Sequence, residues 1–197
     1  DSCGTGRDVY LAASLAGKDG NVIGIDMTED QLEIANRHRQ TQSARFGLDG
    51  SNVRFELGFI EDLKAAGIED ESVDVVISNW VINLSPMKDR VFQEIFRVLK
   101  PGGELYFSDV FADRRIPQEL REDHVLYGEC LSGAMYFEDF RRLLQSMGIA
   151  DFRTVSKCPI ELNNAELQEK VGNINFSSQT IRAFKLESLE DICEDYG

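Results

Sequence analysis

A glycine-rich segment, Cys3-Gly4-Thr5-Gly6, lies near the start of the chain and is followed by a helix-like stretch, Arg7–Leu15. In an open α/β fold, such a turn after a strand lets a ligand approach the backbone closely, because glycine has no Cβ. Asp26 ends the next apolar run, where a carboxylate can accept hydrogen bonds from both hydroxyls of a ribose. The two features together predict a cofactor that contains a nucleoside.

The same segment argues against a dinucleotide cofactor. A dinucleotide site needs a third glycine, because pyrophosphate rests on the N-terminus of the following helix, but Gly6 is followed by Arg7, Asp8 and Val9. The acidic Asp8 near that N-terminus suits a cationic or zwitterionic ligand better than pyrophosphate. We therefore predict that the glycine-rich loop and Asp26 bind S-adenosylmethionine.

Further candidate cofactor contacts follow the other predicted strands. Ligands in open α/β sheets sit at the carboxyl ends of the strands. Ile60 is placed to contact the adenine, Glu61 to accept a hydrogen bond from its amino group, and Asn79 to face the methionine end. Met27, which follows Asp26, is predicted to contact the cofactor as well. These residues complete the predicted cofactor site.

Alternating strands and helices must position these residues. Thr28 and Gln31 have the spacing of a capping box for a helix to about Arg45, and Ser85-Pro86 predicts the start of another helix. The continuous apolar run Val73–Ser78 is typical of a strand buried on both faces. The remaining strands are predicted at Asn21–Asp26, Val53–Leu57 and Glu104–Val110. This alternation predicts an α/β fold of the Rossmann-like, class I methyltransferase kind, with a mostly parallel, doubly wound sheet.

The pattern changes after Asp113. Pro117–Met147 is predicted to be largely helical, and two late strands are predicted at the sheet edge, Phe152–Lys157 and Thr180–Leu186, with a short helix within Asn163–Asn175 between them. We therefore predict a cofactor-binding core over residues 1–113, with its first strand largely missing from the chain. Residues 114–197 would form a small C-terminal α+β appendage that carries the substrate site and completes the sheet.

Composition limits the possible partners. The chain has 197 residues and a formal net charge of -14, and an acidic surface repels nucleic acid and anionic membranes. It contains no apolar run of 18 residues and we expect no signal peptide, so we also expect no membrane partner and a cytoplasmic location. The four cysteines are too dispersed for a disulfide scaffold and form no CxxC pair. Reduced thiols are therefore expected.

The sequence resembles the arsenite methyltransferases over almost its whole length. Two segments carry the most specific likeness, GGELYFSDVFADRR at Gly102–Arg115 and YGECLSGAMY at Tyr127–Tyr136. The others are partly generic to methyltransferases: Cys3–Tyr10, Gly24–Glu33, Gly58–Leu63 and Ser78–Pro86. The closing EDYG, Glu194–Gly197, adds to the likeness.

The resemblance implies methyl transfer from S-adenosylmethionine to trivalent arsenic, with a small thiol as reductant and a substrate that can be a thiol conjugate. Arsenic is thiophilic, as soft metals are, and the family binds it with three cysteines. Cys3 and Cys130 match two of them and are the predicted catalytic residues and arsenic ligands. Gln179 stands where the third cysteine is expected, so the site is predicted to lack one thiol and to favour the monomethylated substrate.

The other thiols and the histidines are assigned no role. Cys158 and Cys193 are expected to be structural or incidental, and His38 and His124 to be solvated. Cys3 is expected to have a lowered pKa, because it lies near a helix N-terminus.

Two alternative functions remain open. A methyltransferase for another small acceptor, such as a quinone precursor or a lipid-like phenol, would need a larger apolar pocket and a general base. A protein that binds arsenic or S-adenosylmethionine without turnover is also compatible with the loss of one thiol.

Overall fold

The computed structural model of the protein describes residues 3–128 and 130–187. Contacts divide the chain into two compact units, Asp1–Ile68 and Glu69–Gly197. This division differs from the predicted boundary after Asp113, which stays a prediction. In the part of the chain that is described, no helix is both long and apolar enough to cross a membrane.

The first unit consists of two helices and a parallel pair of strands, in the order α1 (Arg7–Ala16), β1 (Val22–Asp26), α2 (Glu29–Arg45) and β2 (Val53–Leu57). Both strands were predicted from sequence within one residue, because turn-forming residues bound their apolar runs. The helix predicted after Thr28 is present, although the Thr28 side chain makes no capping hydrogen bond. The core of this unit contains Val9, Tyr10, Ala13 and Val53.

The second unit is built on a five-stranded mixed sheet. Its elements are β3 (Val73–Asn79), a 3-10 turn (Ile82–Leu84), α3 (Lys88–Val98), β4 (Leu99–Ala112), α4 (Gln118–Arg121), α5 (His124–Gly128), β5 (Met135–Tyr136), α6 (Phe137–Ser146), β6 (Phe152–Pro159), α7 (Ala165–Val171) and β7 (Phe176–Phe184). The strand order is β3-β4-β7-β6, and β5 pairs with the end of β4. β3 and β5 run parallel to β4, whereas β7 runs antiparallel to both β4 and β6.

Some details of the second unit differ from the sequence-based expectation. Among the described residues β3 pairs with β4, and Val75 and Ile77 are 51% and 55% exposed, so the predicted burial of this strand on both faces is not seen there. β7 begins at Phe176, four residues earlier than predicted, and lies between β4 and β6 rather than at the edge. The described residues of Pro117–Met147 form α4, α5 and α6, as the prediction of a largely helical segment expects, with turns and the short strand β5 between them.

Aromatic side chains fill the core of the second unit. Six rings pack edge-to-face or tilted, with contacting centroids 5.1–6.3 Å apart: Phe92, Phe107, Phe111, Phe137, Phe140 and Phe152. This phenylalanine cluster joins α3, β4, α6 and β6, and so it holds the sheet against the helices on one face.

Candidate active site

The glycine-rich loop of the first unit is held in a defined conformation by backbone hydrogen bonds. The N–H of Cys3 donates to the Ile25 carbonyl (2.9 Å), and the N–H of Gly6 donates to the Cys3 carbonyl (3.0 Å). Gly4 and Gly6 both adopt left-handed φ values, 52° and 89°, which a residue with a Cβ rarely adopts. The two glycines are therefore required by the backbone, which wraps around the end of β1.

Asp26 fixes this loop from the end of β1. Its carboxylate is fully buried and accepts hydrogen bonds from the backbone N–H groups of Gly4 (2.8 Å) and Thr28 (2.9 Å). The sequence predicted that this carboxylate binds a ribose. The structure assigns it contacts with the loop backbone, which keep the loop in place, and the ribose contact stays a prediction.

The loop after β2 lies beside Asp26 in the same unit. The N–H of Gly58 donates to the Asp26 carbonyl (3.0 Å), so the turn that carries Ile60 and Glu61 is joined to the end of β1. Met27 and Phe59 are 57% and 59% exposed, whereas Ile60 and Glu61 are partly buried. Phe59 was not among the cofactor contacts predicted from the sequence. The feature that could have indicated it is a large apolar side chain in a loop, directly after a glycine.

Cys3 lies within the glycine-rich loop and is partly buried. Burial and, to a smaller extent, the nearby Asp26 carboxylate raise the pKa of its thiol to about 12, against a smaller opposing effect of a backbone hydrogen bond. The predicted lowering of the Cys3 pKa by the helix N-terminus is therefore wrong. Because a thiol must lose its proton to bind a soft ion, ligand binding at Cys3 should become more favourable as pH rises.

This raised pKa predicts slow alkylation of Cys3. At pH 8, a thiol with a pKa near 12 is almost entirely protonated, so iodoacetamide should modify the exposed Cys158 at least ~10-fold faster than Cys3. The rate at Cys3 should rise about tenfold per pH unit between pH 8 and 10, as the thiolate fraction does. Peptide mass spectrometry measures both rates. A Cys3 rate that levels off below pH 8 would contradict the raised pKa.

In the second unit, Asn79 ends β3 with an exposed side chain. Trp80 follows it in the left-handed region, with a φ of 58°, and its N–H donates to the Ser108 carbonyl on β4 (2.8 Å). A positive φ in an aromatic residue is uncommon and is sustained only where the surroundings determine it. The chain therefore turns sharply at the carboxyl end of β3.

Cys130 is also in the left-handed region, with a φ of 57°. Its N–H donates to the Tyr127 carbonyl (3.0 Å), so the residue lies in a tight turn after α5. The side chain is partly buried and packs against an apolar cluster that includes Val110, Leu126 and Leu131. Such strain in a non-glycine residue clusters at functional sites.

Two charged groups of the second unit, the buried Asp109 and the partly buried Lys88, were not selected from the sequence. Asp109 is 1% exposed near the end of β4, and burial raises its pKa to about 6, against the backbone hydrogen bonds that it accepts from Val110 and Asn83. Burial lowers the pKa of Lys88 to about 8, although the Asp109 carboxylate opposes this effect. The available signal in the sequence was an aspartate inside the otherwise apolar strand predicted at Glu104–Val110.

Gln179, at the position expected for a third thiol, is a buried residue of β7. It is 3% exposed, and its side-chain Nε2 donates to the Ser177 hydroxyl at 3.0 Å. Cys158 is exposed on β6, and Cys193 lies outside the described residues. Within residues 3–128 and 130–187, no three His, Cys, Asp or Glu side chains are grouped so that they could hold a metal ion.

The predicted site residues thus form two groups, one in each compact unit. The structure brings together the glycine-rich loop, Asp26, Met27, Ile60 and Glu61 in the first unit. Asn79 and Cys130 belong to the second unit. That the two groups form one site stays a prediction, as does the pairing of Cys3 with Cys130.

Comparison with known proteins agrees with the predicted fold class. The profile of a methyltransferase domain family matches residues 2–148. The arsenite methyltransferase of Aquipseudomonas alcaligenes is 54% identical over 194 residues, which are 98% of this chain and 56% of that protein. The X-ray crystal structure of an arsenic(III) S-adenosylmethionine methyltransferase from Chlamydomonas reinhardtii superposes with a TM-score of 0.92 at 50% identity, and covers 99% of this chain and 65% of that one.

A quinone-modifying relative matches over a shorter stretch. The demethylmenaquinone methyltransferase of Lactococcus lactis is 35% identical over 103 residues, 52% of this chain and 37% of that protein. The predicted Rossmann-like fold and the resemblance to arsenite methyltransferases are confirmed. The chain spans little more than half the length of the Aquipseudomonas protein.

Proposed function

Because the chain belongs to the methyltransferase domain family, we propose that it transfers a methyl group from S-adenosylmethionine to trivalent arsenic, with arsenite or methylarsenite as the substrate. The observation that carries this proposal is the 54% identity to an arsenite methyltransferase over 98% of the chain. The similarity to a quinone methyltransferase covers only 52% of the chain, which disfavours a quinone precursor as the acceptor.

The residues of the first unit fit S-adenosylmethionine. A Cβ built on Gly4 would meet no atom within 4 Å, so the loop leaves open space beside its backbone. The exposed side chains of Met27 and Phe59 offer apolar surface to the adenine, and the carboxylates of Asp8 and Glu61 favour a ligand with positive charge. S-adenosylmethionine, when bound, supplies a methyl group on a positively charged sulfur, which is the electrophile that an arsenic lone pair needs.

In this proposal Cys3 and Cys130 bind the arsenic as thiolates. Thiolates suit a soft trivalent centre, and holding the substrate in a fixed position replaces acid or base catalysis by the protein. A small thiol or an existing methyl group would occupy the third arsenic position, and a small thiol would also serve as the reductant. Such thiols are abundant in the cytoplasm, where we place the protein. Methylarsenite, which needs only two thiolates, is the preferred substrate.

The test is a methyl-transfer assay with the purified protein and S-adenosylmethionine labelled in its methyl group. We expect labelled methylated arsenicals in the presence of a small thiol, with faster transfer to methylarsenite than to arsenite. Demethylmenaquinol serves as the control acceptor and should remain unlabelled. Label in the quinol alone, or in no acceptor, would contradict the proposal.

A protection experiment tests the thiol ligands separately. Phenylarsenous acid or methylarsenite should slow the alkylation of Cys3 and Cys130 together, while the exposed Cys158 reacts at an unchanged rate. Protection of both thiols without any methyl transfer would indicate a protein that binds arsenic and does not turn it over. If neither thiol is protected from alkylation, neither Cys3 nor Cys130 is an arsenic ligand.

A further inference from the structure

Asn83 is a buried polar residue that the proposed chemistry does not use. It lies in the 3-10 turn Ile82–Leu84, four residues after Asn79, and is 4% exposed. Its side-chain amide donates to the Val110 carbonyl (2.6 Å), and its backbone N–H donates to the Asp109 carboxylate (3.1 Å). The backbone N–H and the side-chain amide of Asn83 therefore form hydrogen bonds with two consecutive residues near the end of β4.

The opposite side of the Asn83 peptide contacts the loop that carries Cys130. A Cβ built on Gly133 would lie 2.0 Å from the Asn83 carbonyl oxygen and 3.0 Å from its carbonyl carbon, so only glycine fits there. Gly133 is three residues from Cys130, in a segment that is anchored to α5 by N–H groups of Leu131 and Ser132, both donating to the Leu126 carbonyl. The contact at Gly133 and these two hydrogen bonds therefore act on the same short segment that follows Cys130.

We propose that Asn83 is a positioning residue for the Cys130 thiol. Through Asn83, the end of β4 supports the loop of residues 130–134 and fixes the left-handed turn at Cys130. The same residue lies on the segment that leaves Asn79, so it sets the distance between the Cys130 loop and the carboxyl end of β3. This inference rests on the proposed function only in the claim that the positioned thiol binds arsenic.

Two variants test the proposal, Asn83→Ala and Gly133→Ala. The first removes the amide contact with Val110, and the second separates the loop from the Asn83 peptide. In both we expect the alkylation rate of Cys130 to change at least ~5-fold and that of Cys158 to stay the same. We also expect the KM for methylarsenite to rise ~10-fold while the KM for S-adenosylmethionine stays within about twofold, since misplacing a binding group weakens that substrate alone.

The control is Gly148→Ala. Gly148 has a φ of 77° and open space around it, so alanine strains the backbone of the same unit without touching the Cys130 loop. A purely structural role for Asn83 would make its variants behave like this control, with a lower melting temperature, a lower kcat through a smaller folded fraction, and unchanged KM values and Cys130 alkylation. That result would overturn the proposal.

The readouts separate this proposal from the proposed function. If Gly133→Ala does not fold, Asn83→Ala decides the question through the same rates. If the unmodified protein transfers no methyl group to arsenic but Cys130 alkylation still changes in the variants, the positioning role stands and the substrate is wrong. Unchanged Cys130 alkylation in Asn83→Ala overturns the positioning role whatever the substrate is.

Discussion

Replacing Cys130 by serine is expected to lower the rate of methyl transfer to methylarsenite by at least about 100-fold, because a hydroxyl is a poor ligand for a soft centre and the substrate loses its fixed position. The substitution changes little in size, and the left-handed turn at residue 130 is already held by the Tyr127 carbonyl. The loss should therefore come from chemistry rather than folding. Initial rates with labelled S-adenosylmethionine measure it directly.

Cys158→Ser is the matched control for this prediction. Cys158 is exposed on β6, so its replacement should leave both the rate and the melting temperature unchanged. Cys130 packs against an apolar cluster, so the melting temperature of Cys130→Ser must be measured beside its rate. Equal rates in the two variants would exclude Cys130 as an arsenic ligand.

The elements that carry the cofactor residues could be predicted because their signals are local. Val53–Leu57 was predicted to the residue, and the helix after Thr28 to within one residue at its start, since glycine, asparagine and acidic residues bound the apolar runs. The signal for the glycine-rich loop is local as well, since it consists of two closely spaced glycines. Its positive φ values at Gly4 and Gly6 are a property that glycine alone supplies readily.

The properties that were wrong or missed depend on packing between distant residues. The Cys3 pKa was expected to fall because of a nearby helix N-terminus, but burial and the Asp26 carboxylate raise it. An apolar run such as Val73–Ser78 shows that a strand is apolar and does not show how many neighbours it has. The contact between Gly133 and the Asn83 peptide joins residues fifty positions apart, and no spacing rule could have indicated it.

Truncating Phe140 to alanine should lower the free energy of unfolding by about 3–5 kcal/mol, the usual cost of removing a fully buried phenylalanine ring. Phe140 is fully buried on α6, and its ring contacts those of Phe92, Phe107, Phe111, Phe137 and Phe152. These rings come from α3, β4, α6 and β6, so a cavity at Phe140 weakens the packing of several elements together. Urea unfolding followed by circular dichroism measures the change.

Phe46→Ala provides the comparison, because Phe46 is 44% exposed at the end of α2 and its loss should cost less than ~1 kcal/mol. A cost below ~1 kcal/mol for Phe140→Ala would mean that the surrounding rings collapse into the space, which their tight mutual contacts oppose. A large cost has a functional consequence as well. Phe107 and Phe111 of the same cluster flank Asp109 and Val110 on β4, the residues that hold Asn83, so loosening the cluster should also increase the alkylation rate of Cys130.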